Sequence, residues 1–175
     1  MDLACMQVLK SLKLQNDYNL TQMEKPKPLK RHKSIVPLSK DHHQALLLCW
    51  KIRTGFKKNI DVQRIKSYSD WFWENHIQPH FKIEEKHVFP VLGNNHDLIK
   101  KALTEHRRLK RLFESEIDVN KTLSLIEEEL ENHVRFEERI LFGEIQKVAS
   151  ETELKNIAIQ HQENFCDNRE DEFWK

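Results

Sequence analysis

The sequence predicts an all-α fold: an up-down-up-down four-helix bundle with an N-terminal arm and a short C-terminal fifth helix. Three observations carry this. The 175 residues include only 3 Gly and 5 Pro, too few for a turn-rich β protein. Four long segments place apolar residues at intervals of three and four, the rhythm of one buried stripe per helix. The connections between these segments are short, which makes sequential neighbours antiparallel.

Residues 1–37 are expected to form the arm, 38–148 the bundle, and 149–175 the last helix and a tail. Within the arm, residues 3–14 suit a short helix, and the basic stretch from Lys25 to Lys33 is expected to stay solvated. Ser39 is the expected cap of the first long helix, over 39–57. Its stripe is His42, Ala45, Cys49, Ile52 and Phe56, and Gly55 with Asn59 announces the turn. Asp61 caps the second helix, over 61–88, in which Ile65, Phe72 and His76 share a face. Pro79 removes a backbone donor and predicts a kink, after which the face resumes at His80, Glu84 and His87. A Gly93-Asn94-Asn95 turn follows.

The third helix, over 96–116, carries Ile99, Ala102, His106, Leu109 and Phe113. Its basic back, from Lys100 to Arg111, reads as a solvated face balanced by the acidic run 127–131. Asp118 or Thr122 starts the fourth helix, over 119–148, with Leu123, Ile126, Leu130, His133, Glu137 and Ile140 in its stripe. Ser150 and Glu153 make a capping box for the fifth, running to Phe165. Its modest apolar content predicts packing across the outside of the bundle, with the last ten residues frayed.

Composition excludes several function classes. Lys and Arg number 29 against 28 Asp and Glu, so no global charge points to nucleic acid or to a membrane surface. No apolar run approaches the ~18 residues of a membrane span. The first 20 residues carry no apolar signal core, and Cys5, Cys49 and Cys166 are scattered and odd in number. A reducing, cytoplasmic setting is expected.

Ten histidines need an account. His80-Phe-Lys-Ile-Glu84-Glu85 has an echo in His133-Val-Arg-Phe-Glu137-Glu138, and each runs on to a Phe, Phe89 or Phe142. On a helix, residues i and i+4 share a face, about 6 Å apart along the axis. Each stretch therefore aims an imidazole and a carboxylate the same way. His42 and His106 lie in the other two stripes, at heights that match in antiparallel helices. Two buried carboxylates are costly unless cations neutralise them. Imidazole with bridging carboxylate and no thiolate suits a pair of transition metals.

These elements, Leu38-Ser-Lys-Asp-His42-His43, His80 to Glu85, Glu105-His106 and His133 to Glu138, resemble the hemerythrin-like (HHE cation-binding) domain over about residues 38–148. The resemblance implies an up-down four-helix bundle with a non-haem di-iron centre, two iron ions as cofactor. By motif match the ligands would be His42, His80, Glu84, His106, His133 and Glu137, the two Glu bridging both irons. Oxygen-carrying members place a second His four residues after the third-helix His; here that position is Lys110. A fifth His would come from His87 or His43, or one iron keeps an open position. The expected function is to bind, sense or react with a small diatomic or peroxide ligand. The alternatives are an enzyme for peroxide breakdown or nitric-oxide-linked iron-centre repair, and a metal-dependent regulatory module.

Overall fold

A computed structural model describes residues 30–161 and 171–175, and Arg31–Lys175 form one compact unit. The expected helix over 3–14, most of the basic stretch, Cys5 and Cys166 lie outside the described residues. Among the described residues there is no strand, and no helix is long and apolar enough to cross a membrane.

Helix α1 spans Val36–Lys57. It starts three residues before Ser39, because Pro37 fits the first turn, where a missing amide costs nothing, and Ile35 is fully buried. Gly55 is inside α1 and not in the turn. A Cβ there would lie 2.7 Å from Ile65 Cδ1 and 3.0 Å from Phe173 Cε2, so the glycine permits a close approach.

Helix α2 begins at Val62–Phe72, with Asp61 accepting from the Gln63 and Arg64 amides. It widens to an i+5 turn at Trp73–Ile77, returns to α geometry at Gln78–Ile83, widens again at Glu84–Val88 and closes at Phe89–Val91. The first widening lies immediately before Pro79, whose ring would crowd a regular preceding turn.

Helix α3 is Asp97–Phe113, capped by His96, whose Nδ1 accepts from the Leu98 amide at 3.2 Å. Its basic back is ion-paired and solvated, as with Arg108 on Glu129 at 3.2 Å. Helix α4 is Val119–Phe136, with an i+5 turn at Glu137–Leu141 and a last segment Phe142–Val148. Asp118 is its cap, at φ 44°, while the Thr122 hydroxyl donates to Ile117 O. Helix α5 is Glu151–Gln160 and has the capping box of Ser150 and Glu153.

The three wide turns correct the expected stripes in the same manner. An i+5 turn holds one residue more than an α turn, so the buried face moves on by one. His76 is half-buried and Ile77 takes the interior place; His87 gives way to Val88, and Ile140, 49% exposed, to Leu141, 0%.

Two apolar clusters form the core. One gathers Leu48, Ile52, Ile65, Phe72, Leu109, Phe113, Leu123 and Leu130. The other gathers Leu38, Val88, Phe89, Ile99, Ala102, Leu141, Phe142 and Ile145. The four long helices run alternately from one cluster to the other, which is the up-down-up-down order. The remaining segments are more embedded than expected. Leu154 and Ile157 of α5 are buried in the second cluster, and Phe173, 3% exposed, in the first. The end of the arm docks on α4, the His32 amide donating to Gln146 at 2.7 Å.

Candidate metal centre

Each long helix crosses from one apolar cluster to the other through a polar step. On α1 that step is His42, on α2 His80 and Glu84, on α3 His106, and on α4 His133 and Glu137. All six are buried, Glu84 and Glu137 completely.

The six converge as two sets that share both carboxylates: His42, His80, Glu84 and Glu137, and Glu84, His106, His133 and Glu137. His42 Nε2 and His80 Nε2 are 3.0 Å apart, His106 Nε2 and His133 Nε2 3.1 Å. Glu84 Oε1 lies 3.2 Å from His80 Nε2, and its Oε2 3.5 Å from His106 Nε2. Glu137 Oε2 lies 3.1 Å from His42 Nε2 and 3.3 Å from His133 Nε2. Each carboxylate thus faces both histidine pairs. The two wide turns begin at these glutamates, Glu84 and Glu137, and each closes on the amide of the Phe that follows in the motif, Phe89 or Phe142.

Four further carboxylates hold the imidazoles from behind. His42 Nδ1 bonds Glu138 at 2.7 Å, His80 Nδ1 Asp41 at 3.0 Å, His106 Nδ1 Glu85 at 2.8 Å and His133 Nδ1 Glu105 at 2.9 Å. A carboxylate only accepts, so each Nδ1 donates and each Nε2 is left aimed inward as a potential ligand. Sequence reasoning quoted these four residues without giving them a role. The available signal was that each neighbours a site residue, in Asp41-His42, Glu84-Glu85, Glu105-His106 and Glu137-Glu138. One step along a helix turns a side chain by about 100°, toward the adjacent helix. Aromatic rings complete the enclosure: Phe142 stacks on His42 at 5.2 Å and Phe81 on His106 at 3.6 Å.

The electrostatics are those of a shell short of cations. Burial alone would lower His42, but the negative charge of the neighbouring Glu137, Glu138 and Glu84 outweighs it and holds the imidazolium well above the usual histidine range. Against the same burial, Glu84 and Asp41 push His80 up to about 9, and Glu84 with Glu85 does so for His106. Burial would raise Glu84, yet the facing imidazoles, His80 first, keep it well below the carboxylate range. Glu138 is likewise lowered to about 2, against its burial, by His42 and Arg31.

The residues fit a pair of metal ions on three counts. All four oxygens of Glu84 and Glu137 are buried without a well-formed hydrogen bond, although imidazole nitrogens stand nearby. Two whole carboxylates orphaned side by side between imidazoles mark a place for a cation. The Nε2 separations of 3.0 and 3.1 Å match neighbouring ligands at right angles on one ion, about 3.0 Å for bonds of about 2.1 Å. Among the described residues, the pairs that six carboxylates make with permanent cations are Arg31 on Glu138 and Lys101 on Glu105, which leaves four negative charges with the imidazoles neutral. Two divalent ions carry that charge.

Lys110 is exposed on α3 and pairs with Glu114 at 3.7 Å. Among the described residues, neither His87, half-buried, nor His43, exposed, joins either set. A cavity of about 200 Å3 borders His42 and His80, walled by Ala45, Phe72, Ile77, Phe81, Leu130 and Val134.

No curated protein and no solved structure matches the chain. A family model, the hemerythrin HHE cation binding domain, matches residues 34–144, a stretch that contains all six inward-facing residues and all four carboxylates behind them. Matched over more than half its length, the chain belongs to the hemerythrin HHE cation binding domain family.

Proposed function

We propose that His42, His80, Glu84, His106, His133 and Glu137 hold a pair of iron ions, with both glutamates bridging, and that the centre binds, senses or reacts with oxygen or a related small molecule. The observation that carries this is the set of four orphaned carboxylate oxygens between two imidazole pairs. Iron so held would supply one-electron steps and Lewis acidity toward a diatomic or peroxide ligand.

The chain's own residues do the rest. Asp41, Glu85, Glu105 and Glu138 fix the tautomer and direction of the four imidazoles. Phe142 and Phe81 keep water from the ring faces. The cavity beside His42 and His80, walled largely by apolar side chains with Asp41, Gln44, Asn75, His76 and His161 among its lining, suits a small uncharged ligand. Two imidazoles in each set and no fifth histidine would leave each ion short of nitrogen ligands, which supports reaction over reversible carriage. That favours the turnover reading, in which a small oxidant is consumed.

The test is metal content and an absorption spectrum, on a reduced sample exposed to oxygen and then purged. Oxidation that purging does not reverse is expected, and His87→Ala should behave as the parent. Full return of the reduced spectrum would overturn the reactive reading in favour of a carrier. Failure to take up iron would overturn the centre itself.

A further inference from the structure

Among the described residues, two outside the matched stretch 34–144 reach the centre, and both reach the same half. Arg31, from the arm, donates to Glu138 Oε2 from Nη2 at 2.9 Å and from Nε at 3.2 Å. The other oxygen of Glu138 accepts from His42. The Arg31 guanidinium also lies 5.7 Å over the Phe142 ring that stacks on His42. His161, at the end of α5, donates from Nε2 to Asp41 Oδ2 at 2.6 Å, the oxygen that His80 Nδ1 bonds. Its side chain is 4% exposed. The other half draws on the bundle itself: Lys101 of α3 pairs with Glu105, one turn along the same helix, and Glu105 holds His133.

We propose that Arg31 and His161 are positioning residues for the His42–His80 half of the centre, so that the two halves differ in what secures their metal affinity. The proposal rests on the reading of the six residues as metal ligands. Asp41 and Glu138 are the carboxylates that orient His80 and His42, and their side chains are 32% and 27% exposed. A partly solvated carboxylate with one partner keeps freedom to rotate toward water. A second partner restrains it, on the other oxygen of Glu138 and on the same oxygen of Asp41, and here the second partner comes from a flanking segment each time. His161 has a further effect. With Asp41 and Gln44 it lines both the cavity beside His42 and His80 and an outer groove of about 500 Å3 at the start of α1. Removing its imidazole loosens Asp41 and enlarges the space beside the same half.

Removing a partner that touches a ligand directly typically costs about 10–100-fold in metal affinity. Arg31 and His161 act one bond further out, so the double variant Arg31→Met, His161→Ala is expected near the lower end, about tenfold. The experiment uses Co2+ as probe, followed by its visible bands and by bound-metal stoichiometry on the full chain. Each half is isolated by His106→Ala, which leaves the His42–His80 pair, and by His42→Ala, which leaves the other. The double variant should lose about tenfold in the first background and less than twofold in the second. In the intact six-residue centre it should bind one of two ions as tightly as the parent and the other more weakly, which serves if an isolated half binds too weakly to titrate. His161→Gln, which keeps a donor for Asp41, should restore most of the loss that His161→Ala causes.

Equal losses in both halves would mean general loosening of the fold and would overturn the proposal. So would affinities unchanged in both, or a loss that His161→Gln does not repair. A parent protein that binds no Co2+ overturns the metal reading and this proposal together; two ions on the parent with no asymmetry in the variants overturns this proposal alone.

Discussion

Chelation should lower the melting temperature by a large and calculable amount. Glu84 and Glu137 are wholly buried, and none of their four oxygens has a well-formed hydrogen bond. A metal pair that satisfies them binds the folded chain and not the unfolded one, so its binding free energy adds to stability. One site at a hundredfold excess over Kd contributes about 2.7 kcal/mol, and two contribute about 5. At about 2–4 °C per kcal/mol for a chain of this size, the expected shift is about 10–20 °C. The assay is a pair of calorimetric scans at fixed protein concentration, one with buffered metal and one with chelator. The Glu84→Gln, Glu137→Gln variant should shift by less than about 3 °C, the remainder left to imidazole ligation. The gap should also widen with pH. In chelator, His80 and His106 have folded pKa values raised to about 9 from 6.5, so their contribution is full below pH 6.5 and lost as pH rises toward 9. Metal must displace those same protons, so its binding strengthens over that window. Coincident scans with and without metal, or a full shift retained by the double variant, would refute the reasoning and leave an ordinary buried ion-pair network.

Gly55→Ala should destabilise the fold by about 1 kcal/mol, because contact with Ile65 Cδ1 at 2.7 Å and Phe173 Cε2 at 3.0 Å outweighs the gain in helix propensity; a raised denaturation midpoint would contradict the close approach. Phe173→Ala should cost about 3 kcal/mol, since the ring is 3% exposed and packs on Tyr68 at 5.6 Å. A frayed tail would give no change. Burial first, then Glu127 and Glu131, pushes the Cys49 thiol up to about 12 from 9.0, so alkylation of the native chain at pH 9 should leave Cys49 about a thousandfold slower than an unshifted thiol. The same sign makes its contribution to stability full below pH 9 and lost as pH climbs to 12. Rapid native labelling at Cys49, read by peptide mass spectrometry, would refute the packing around it.

The information legible in the chain before folding is local and periodic. An apolar residue every third or fourth place defines a helix and its inner face, so four stripes and the six polar residues interrupting them were legible, as were the Asp61 cap and the Ser150–Glu153 box. These depend only on neighbours within a turn. The stripes failed where the backbone left the 3.6-residue rhythm. Whether Glu84 and Glu137 open an i+5 turn depends on what the next residues pack against, and that is what put Val88 and Leu141 inside in place of His87 and Ile140. The carboxylates behind the histidines were visible as doublets but not assignable. Glu138 reaches His42, 96 positions away, and Asp41 reaches His80 and His161, 39 and 120 away. Such pairings exist only once antiparallel helices bring the flank of one against the face of another. Arg31, His161 and Phe173 lie outside any stripe, and only the folded bundle offers the carboxylate acceptors and the apolar gap that draw them in.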